Sequence, residues 1–579
     1  MDCIHIIIEL CLMNYRFFIL LLLFLPIPLL AQYRSAAWCP DLGNGNYRNP
    51  VLNADYSDPD VCAVDGTFYL TGSSFNCIPG LPILRSRDLV NWTIIGHALQ
   101  AQEPRAVFDQ VQHGRGVWAP SIRHHNGQFY IYWGDPDRGI MMVKTDDPAG
   151  QWSDPVCVQP GRGMIDPCPL WDDDGRCYLV HAWAASRSGF NSVLTVRELS
   201  ADGTHVLGSP VLVFDGGQEH HTTEGPKFYK HDGWYWIFCP AGGVQMGWQL
   251  AMRSRSPYGP YEARIVMSQG QTTVNGPHQG AWVRTEMGKD WFLHFNDRGP
   301  YGRVVYLQPM TWRNGWPVIG TDKDGDGCGE PVLTYRKPVQ GQTLENPQES
   351  DEFDEPLLGL QWQWHANYNP LWGMPTSLGT MRLYTADLSV DSPLASDANA
   401  PLGFATRLGQ ELPTPNLWSA SNLLLQKTPA EHFIATTYVR MASKAEGQYG
   451  GLLVMGRDYS ALVVCRVGDK FMLQRHTCIG ADEGRPAEVT TLESLAPTDR
   501  DTIPYSPALY LDIYLRVSVR DGECTFFYSL DGRRFCEAGE AFRMKEGRWI
   551  GAKVGLVSER SNLQGNRGWL DADWFRITK

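Results

Sequence analysis

The sequence predicts an all-β chain of more than one domain, and three observations carry that prediction. Composition is the first: 21 Trp, 24 Tyr and 58 Gly in 579 residues, with aromatics at 12% and charged residues at only 20%, suit turn-rich β structure better than helical bundles. Patterning is the second, because runs such as Gln128-Phe129-Tyr130-Ile131-Tyr132-Trp133 alternate with period two and no long stripe recurs at helical spacing. The third is a repeat. His221-Thr222-Thr223-Glu224-Gly225-Pro226 leads into an aromatic strand, an Asp232-Gly233 turn and a second aromatic strand, Trp234-Tyr235-Trp236. The same grammar follows Ser57-Asp58-Pro59 and Ile165-Asp166-Pro167. A length of 579 residues exceeds what one core supports and accommodates two or three domains.

The chain opens on a targeting segment. Arg16 precedes the apolar run Phe17–Leu25, Pro26 and Pro28 interrupt it, and Ala31-Gln32 follow. Residues 1–32 therefore read as a cleaved export signal rather than a retained span, with Met13 an alternative start. The expected location is periplasmic or extracellular, with no membrane span after cleavage. Fourteen cysteines are present; none forms a C-x-x-C pair, so small buried hydrophobes are expected for most and no catalytic cysteine.

Residues 33–335 hold five versions of the repeat, with leads at Asp58, Trp118-Ala119-Pro120-Ser121, Asp166, Glu224 and Asn275-Gly276-Pro277-His278. Leads recur every roughly fifty to sixty residues, about one propeller blade. Each unit is a small antiparallel sheet that cannot bury both faces alone, so five must stack and close into a five-bladed β-propeller. A sandwich explains the strands but not the recurring lead. The three acids Asp58, Asp166 and Glu224 are expected at one equivalent position, converging on the axis. Residues 336–349, with Pro338 and Pro347, form a linker. Residues 350–579 change grammar: Phe433–Val439, Gly451–Met455 and Leu509–Leu515 are alternating strands of a two-sheet sandwich.

A net charge of -13 argues against a nucleic-acid partner. A neutral polyol has no charge to be repelled.

Asn49-Pro50-Val51-Leu52 before Asp58-Pro59-Asp60, Ser86–Trp92, Val117-Trp118-Ala119-Pro120-Ser121, Ile165-Asp166-Pro167, Glu224-Gly225-Pro226 and Gly302-Arg303 before Leu307-Gln308-Pro309 resemble the family 43 glycoside hydrolases, in their β-xylosidase and α-L-arabinofuranosidase branch. Ser350–Asp354 and Leu360–Trp364 resemble the concanavalin-like β-sandwich that accompanies many of them. The resemblance implies a general base at Asp58, a general acid at Glu224, and at Asp166 a third carboxylate that orients the acid and raises its pKa. It also implies pocket walls at Trp118 and Phe75 and a substrate-contacting Arg303, which as a bland alternative simply pairs with one of the acids. His278 is implied to lie in the axial channel, where it contacts sugar or a cation reached partly through water; a hydrogen-bonding core histidine is the alternative. Asp322, Asp324 and Asp326 form an incomplete calcium loop, since Leu333 stands where an EF-hand needs its bidentate acid. Glu330 is available to close a different site, and a rigid turn is the bland reading.

The implied activity is exo-acting, inverting release of terminal α-L-arabinofuranosyl or β-D-xylosyl units from plant cell-wall polysaccharide or its oligosaccharides. It requires no organic cofactor and allows a structural calcium ion. An endo-arabinanase-like hydrolase and a carbohydrate-binding propeller without catalysis are the alternatives. Inversion needs a protonated carboxyl at the leaving oxygen and a carboxylate activating water roughly 6.5–9.5 Å away.

Overall fold

A computed structural model describes residues 33–217, 219–386, 416–498, 508–561 and 566–579; the export signal expected over 1–32 lies outside them. Five four-stranded antiparallel sheets follow one another between Asp60 and Ile319, each made of four consecutive strands. Their first strands, Asp60–Val64, Trp118–His125, Met164–Trp171, Lys227–His231 and His278–Arg284, line the axis of a five-bladed propeller. Apolar side chains stack between blades: Ile165, Val180 and Val196 of the third meet Phe228, Ile237 and Leu250 of the fourth.

No blade borrows a strand from another, so the ring closes by other means. Phe68, Leu70 and Leu84 of the first blade pack on Ala281, Leu293 and Leu307 of the fifth. Asn46–Arg48 pairs with Thr334–Arg336, clasping the two ends of the propeller segment. Lys337 is buried just beyond that clasp and bridges Asp41 and Asp88.

The C-terminal domain is a seven-stranded sheet facing an eight-stranded one. Leu511, Ile513, Leu515, Val517 and Val519 alternate inward along one strand and meet Leu452, Val454, Leu462 and Val464 of the other sheet. The twelve described cysteines are all free. Burial pushes the Cys62 thiol, which packs against the core, up to about 12, as suits an inert thiol.

The two domains are joined through buried groups. The Trp364 amide donates to the Ile78 carbonyl at 2.6 Å. Lys553 Nζ reaches Cys77 Sγ at 3.0 Å and Gln363 Oε1 at 3.1 Å. The Tyr301 hydroxyl accepts from the Gly522 amide.

Candidate active site

The axial strands begin with an unusual backbone. At or just before the start of each axial strand stands one residue with positive φ: Asp58 (54°), Ala119 (30°), Asp166 (57°), Gly225 (60°) and Gln279 (37°). Four of these precede proline, and in the second, third and fifth blades the strand register shifts at this point. A non-glycine residue held there costs on the order of 1–3 kcal/mol and persists only where its surroundings over-determine it.

This pattern corrects the expected equivalence of the three acids. Asp58 and Asp166 share the turning position, whereas Glu224 stands one residue earlier, in phase with Trp118 and His278. In the fourth blade Gly225 takes the turn. The carboxylates therefore enter the centre from two phases of the repeat rather than one.

Asp58 is buried, and both oxygens of its acceptor-only carboxylate are hydrogen-bonded, with Oδ1 keeping acceptor capacity. Ser57 Oγ donates at 2.8 Å and Ser73 Oγ at 2.6 Å to Oδ2, and Arg303 donates to Oδ1 at 3.2 Å. Arg303 also bonds Ser57 Oγ at 2.9 Å, and its amide donates to Asp55 Oδ1 at 2.9 Å. The pairing alternative for Arg303 is therefore realised at Asp58. Its guanidinium also lies 4.8 Å from the Phe295 ring centroid.

Asp166 is 2% exposed, and its Oδ2 accepts the Gly225 amide at 2.7 Å, gripping the backbone beside the proposed acid. Burial first, then the negative charge of Glu224, holds the Asp166 carboxyl well above the usual carboxylate range. Asp58 adds a smaller push, while the buried Lys227 ammonium opposes it. The expectation placed an upward shift on Glu224; the carboxyl removed from water is Asp166, and burial acts there. Glu224 keeps 28% of its side chain exposed. Repulsion between the two disfavours the doubly ionised pair.

Glu224 Oε1 lies 2.9 Å from His278 Nε2. His278 is thus a direct partner of the proposed acid, with Nδ1 buried and without a hydrogen-bond partner among the described residues. One free imidazole nitrogen offers a cation a single donor, which fits contact through water and not a protein-built cage. Trp118 and Phe75 meet edge to face at 6.5 Å. Phe75 is 3% exposed, so Trp118 presents the greater open surface of the two.

Sequence reasoning missed Ser57, Ser73, Asp55 and Trp549. Trp549 comes from the sandwich: its ring sits 6.3 Å from Trp118, and the Arg303 guanidinium lies 5.9 Å from it. Its only signal was an aromatic in a glycine-flanked stretch, Gly547-Arg548-Trp549-Ile550-Gly551.

Asp322, Asp324 and Asp326 do gather, their nearest carboxylate oxygens within 4.8 Å of one another. Asp322 also accepts the Gly325 amide at 2.7 Å and Arg313 at 3.0 Å, which organises the loop as a turn. Glu330 stands outside the cluster and pairs with Lys323.

Comparison with known proteins gives concordant results for both domains. Residues 47–317 match the model of Glycosyl hydrolases family 43, and residues 350–578 match the Beta xylosidase C-terminal Concanavalin A-like domain. A putative beta-xylosidase of Xylanibacter ruminicola is 34% identical over 90% of this chain and 87% of its own length. A non-reducing end alpha-L-arabinofuranosidase of Bacteroides ovatus is 29% identical over 75% and 79%. The crystal structure of xylan beta-1,4-xylosidase from Bacillus halodurans superposes with TM-score 0.76 at 22% identity, covering 92% of this chain and all of that one, a likeness of fold.

Proposed function

The chain belongs to glycosyl hydrolases family 43 and is a glycosidase, and from that premise we propose an exo-acting, inverting enzyme that removes terminal pentose, β-D-xylosyl or α-L-arabinofuranosyl, from plant-type polysaccharide. In this reading Glu224 protonates the leaving oxygen and Asp58 polarises the attacking water, with Asp166 orienting the acid through Gly225. The observation that carries it is the environment of Asp166, a buried carboxyl that feels the charges of both Glu224 and Asp58 while bonded to the amide beside Glu224. Asp58, held by Ser57, Ser73 and Arg303, and Glu224, held by His278 beside Asp166, stand in distinct environments, which is what divided acid and base roles require.

Glu224 is the exposed member of its pair, so a bound sugar covers it and removes the water that distinguishes it from Asp166. Ser57, Ser73 and Arg303 fix the Asp58 carboxylate toward its water. The names of the relatives divide between xylose and arabinose, and the pentose is the quantity to measure. A water-linked cation beside His278 Nδ1, and calcium in the Asp322 loop, belong to the same proposal as structural ions without a chemical step. Export of the mature chain is part of the proposal too, resting on the Arg16-led apolar run before Ala31-Gln32.

The test uses 4-nitrophenyl β-D-xylopyranoside and 4-nitrophenyl α-L-arabinofuranoside, with proton NMR of the fresh product. Turnover of one or both with inverted anomeric configuration is expected, and Asp58→Ala should lose it by at least about a thousandfold. Glu224→Gln should lose far more on an unactivated oligosaccharide than on the nitrophenyl substrate, whose leaving group needs little protonation. Retained configuration, or equal losses on the two substrates, contradicts these assignments.

A further inference from the structure

Beyond the aromatic wall formed by Trp118 and Trp549 lies a second cleft of about 480 Å³, lined by Arg115, Arg162, Arg187, Arg548, Asp137 and Trp549 among others. Its charge is opposite to that of the chain, which carries a net -13. Four guanidinium groups face one carboxylate. Arg187 already uses both oxygens of Asp137, at 3.1 and 3.2 Å. Arg162 and Arg115 approach the same carboxylate only to 3.6 and 3.9 Å and remain largely exposed. Arg548 has no carboxylate partner among the described residues, and its stem lies against Gly114. His113, also in the lining, is half-buried, and desolvation lowers its pKa to about 4, so it adds no charge.

The cleft adjoins the sugar site through shared parts. The Arg187 guanidinium sits 5.6 Å from the Trp118 ring centroid, and the Trp118 indole donates to the Gly114 carbonyl at 3.0 Å. Trp549 belongs to the cleft while its ring also neighbours Arg303, the partner of Asp58.

We propose that this cleft is a leaving-group subsite for an acidic sugar, its arginines receiving an oxyanion carried near the pentose that is cleaved. The inference rests on the exo-glycosidase reading, in which the terminal pentose fills the centre and whatever lies outside the aromatic wall belongs to the leaving group. Guanidinium forks match planar oxyanions in two-point contacts, which neutral hydroxyls do not require. A hexuronate carboxylate and a sulfate half-ester share this chemistry. Attraction at an open cleft also favours encounter with a charged polymer and weakens with salt.

The experiment compares four substrates on the full chain: a nitrophenyl pentoside, a neutral pentose oligosaccharide, and the same oligosaccharide bearing either a hexuronosyl or a sulfate group on the penultimate sugar. For the wild type, kcat/KM about tenfold higher on one acidic oligosaccharide than on the neutral one is expected, a gain worth one good charged contact. The preferred acid identifies the anion. The advantage should shrink at 0.5 M NaCl and vanish in Arg115→Gln/Arg162→Gln, whose rate on the nitrophenyl pentoside, with nothing to reach the cleft, stays unchanged. Equal rates on neutral and acidic oligosaccharides, or a preference that survives the double substitution, overturns the subsite. Failure of the underlying reading is distinguishable, because it appears as no turnover of the nitrophenyl pentoside or the neutral oligosaccharide.

Discussion

At the scale of single residues, the feature with the clearest physical consequence is a carboxyl placed where it does not ionise readily. Asp166 is buried and repelled by Glu224, so the folded chain holds its proton more tightly than the unfolded chain does. Stability from this group is therefore complete below the ordinary aspartate range and declines as pH rises above it toward the raised folded value. Asp166→Asn removes that dependence while an amide oxygen can still accept the Gly225 N–H. The variant should match the wild type near pH 4 and melt higher at pH 7–8, by on the order of 2 °C or more, while its kcat falls. Thermal melts across pH check this; a variant that is less stable at pH 8 than the wild type contradicts it. The three acids themselves were legible because proline and the repeated turn flag them. Their one-residue offset was not, since it depends on which residue adopts positive φ, and Gly225 takes that role in the fourth blade alone.

At the scale of elements, a loop of one domain completes a wall of the other. Asp55 is the pin: its Oδ1 accepts the Arg303 amide and its Oδ2 the Gly551 amide, each at 2.9 Å. Gly551 lies so close that an added Cβ would stand 2.7 Å from the Tyr301 backbone. The pin thus ties the segment bearing Trp549 to the strand bearing Arg303. Asp55→Ala leaves the buried Gly551 N–H and the part-buried Arg303 N–H without their acceptor, a loss of about 1–3 kcal/mol at the first and less at the second, and frees the loop. Both Asp55→Ala and Trp549→Ala should lower kcat/KM on nitrophenyl pentoside, roughly tenfold each. Because the first acts partly through the second, the double variant should fall well short of the product of the two losses. Losses that multiply show the pin and the wall to be independent. The blades were readable from period-two runs and turns, whereas nothing in the sequence around residue 549 says which distant surface it meets, and that is settled only by docking of the sandwich.

At the scale of the whole molecule, sequence grammar separates two domains that the structure unites. Strand patterning changes near residue 350 because two different packing problems begin there, a ring of blades and a pair of sheets. The seam between them is nevertheless built like an interior. Lys553 is 3% exposed and donates across it, Asn367 exchanges hydrogen bonds with Gln102 and donates to Asp109 at 2.8 Å, and Asn76 donates to the His365 carbonyl. Linked domains commonly meet through polar surfaces that part easily. Here separation breaks a set of buried hydrogen bonds, each worth more than an exposed contact would be. Unfolding of either domain therefore removes support the other needs, and calorimetry of the full chain should give one endotherm with calorimetric and van't Hoff enthalpies in agreement. Two resolved endotherms would mean that the seam opens first and that the sandwich is a tethered neighbour. In that event Trp549 leaves the active site at the lower transition, and kcat/KM should drop with that step while the propeller remains folded.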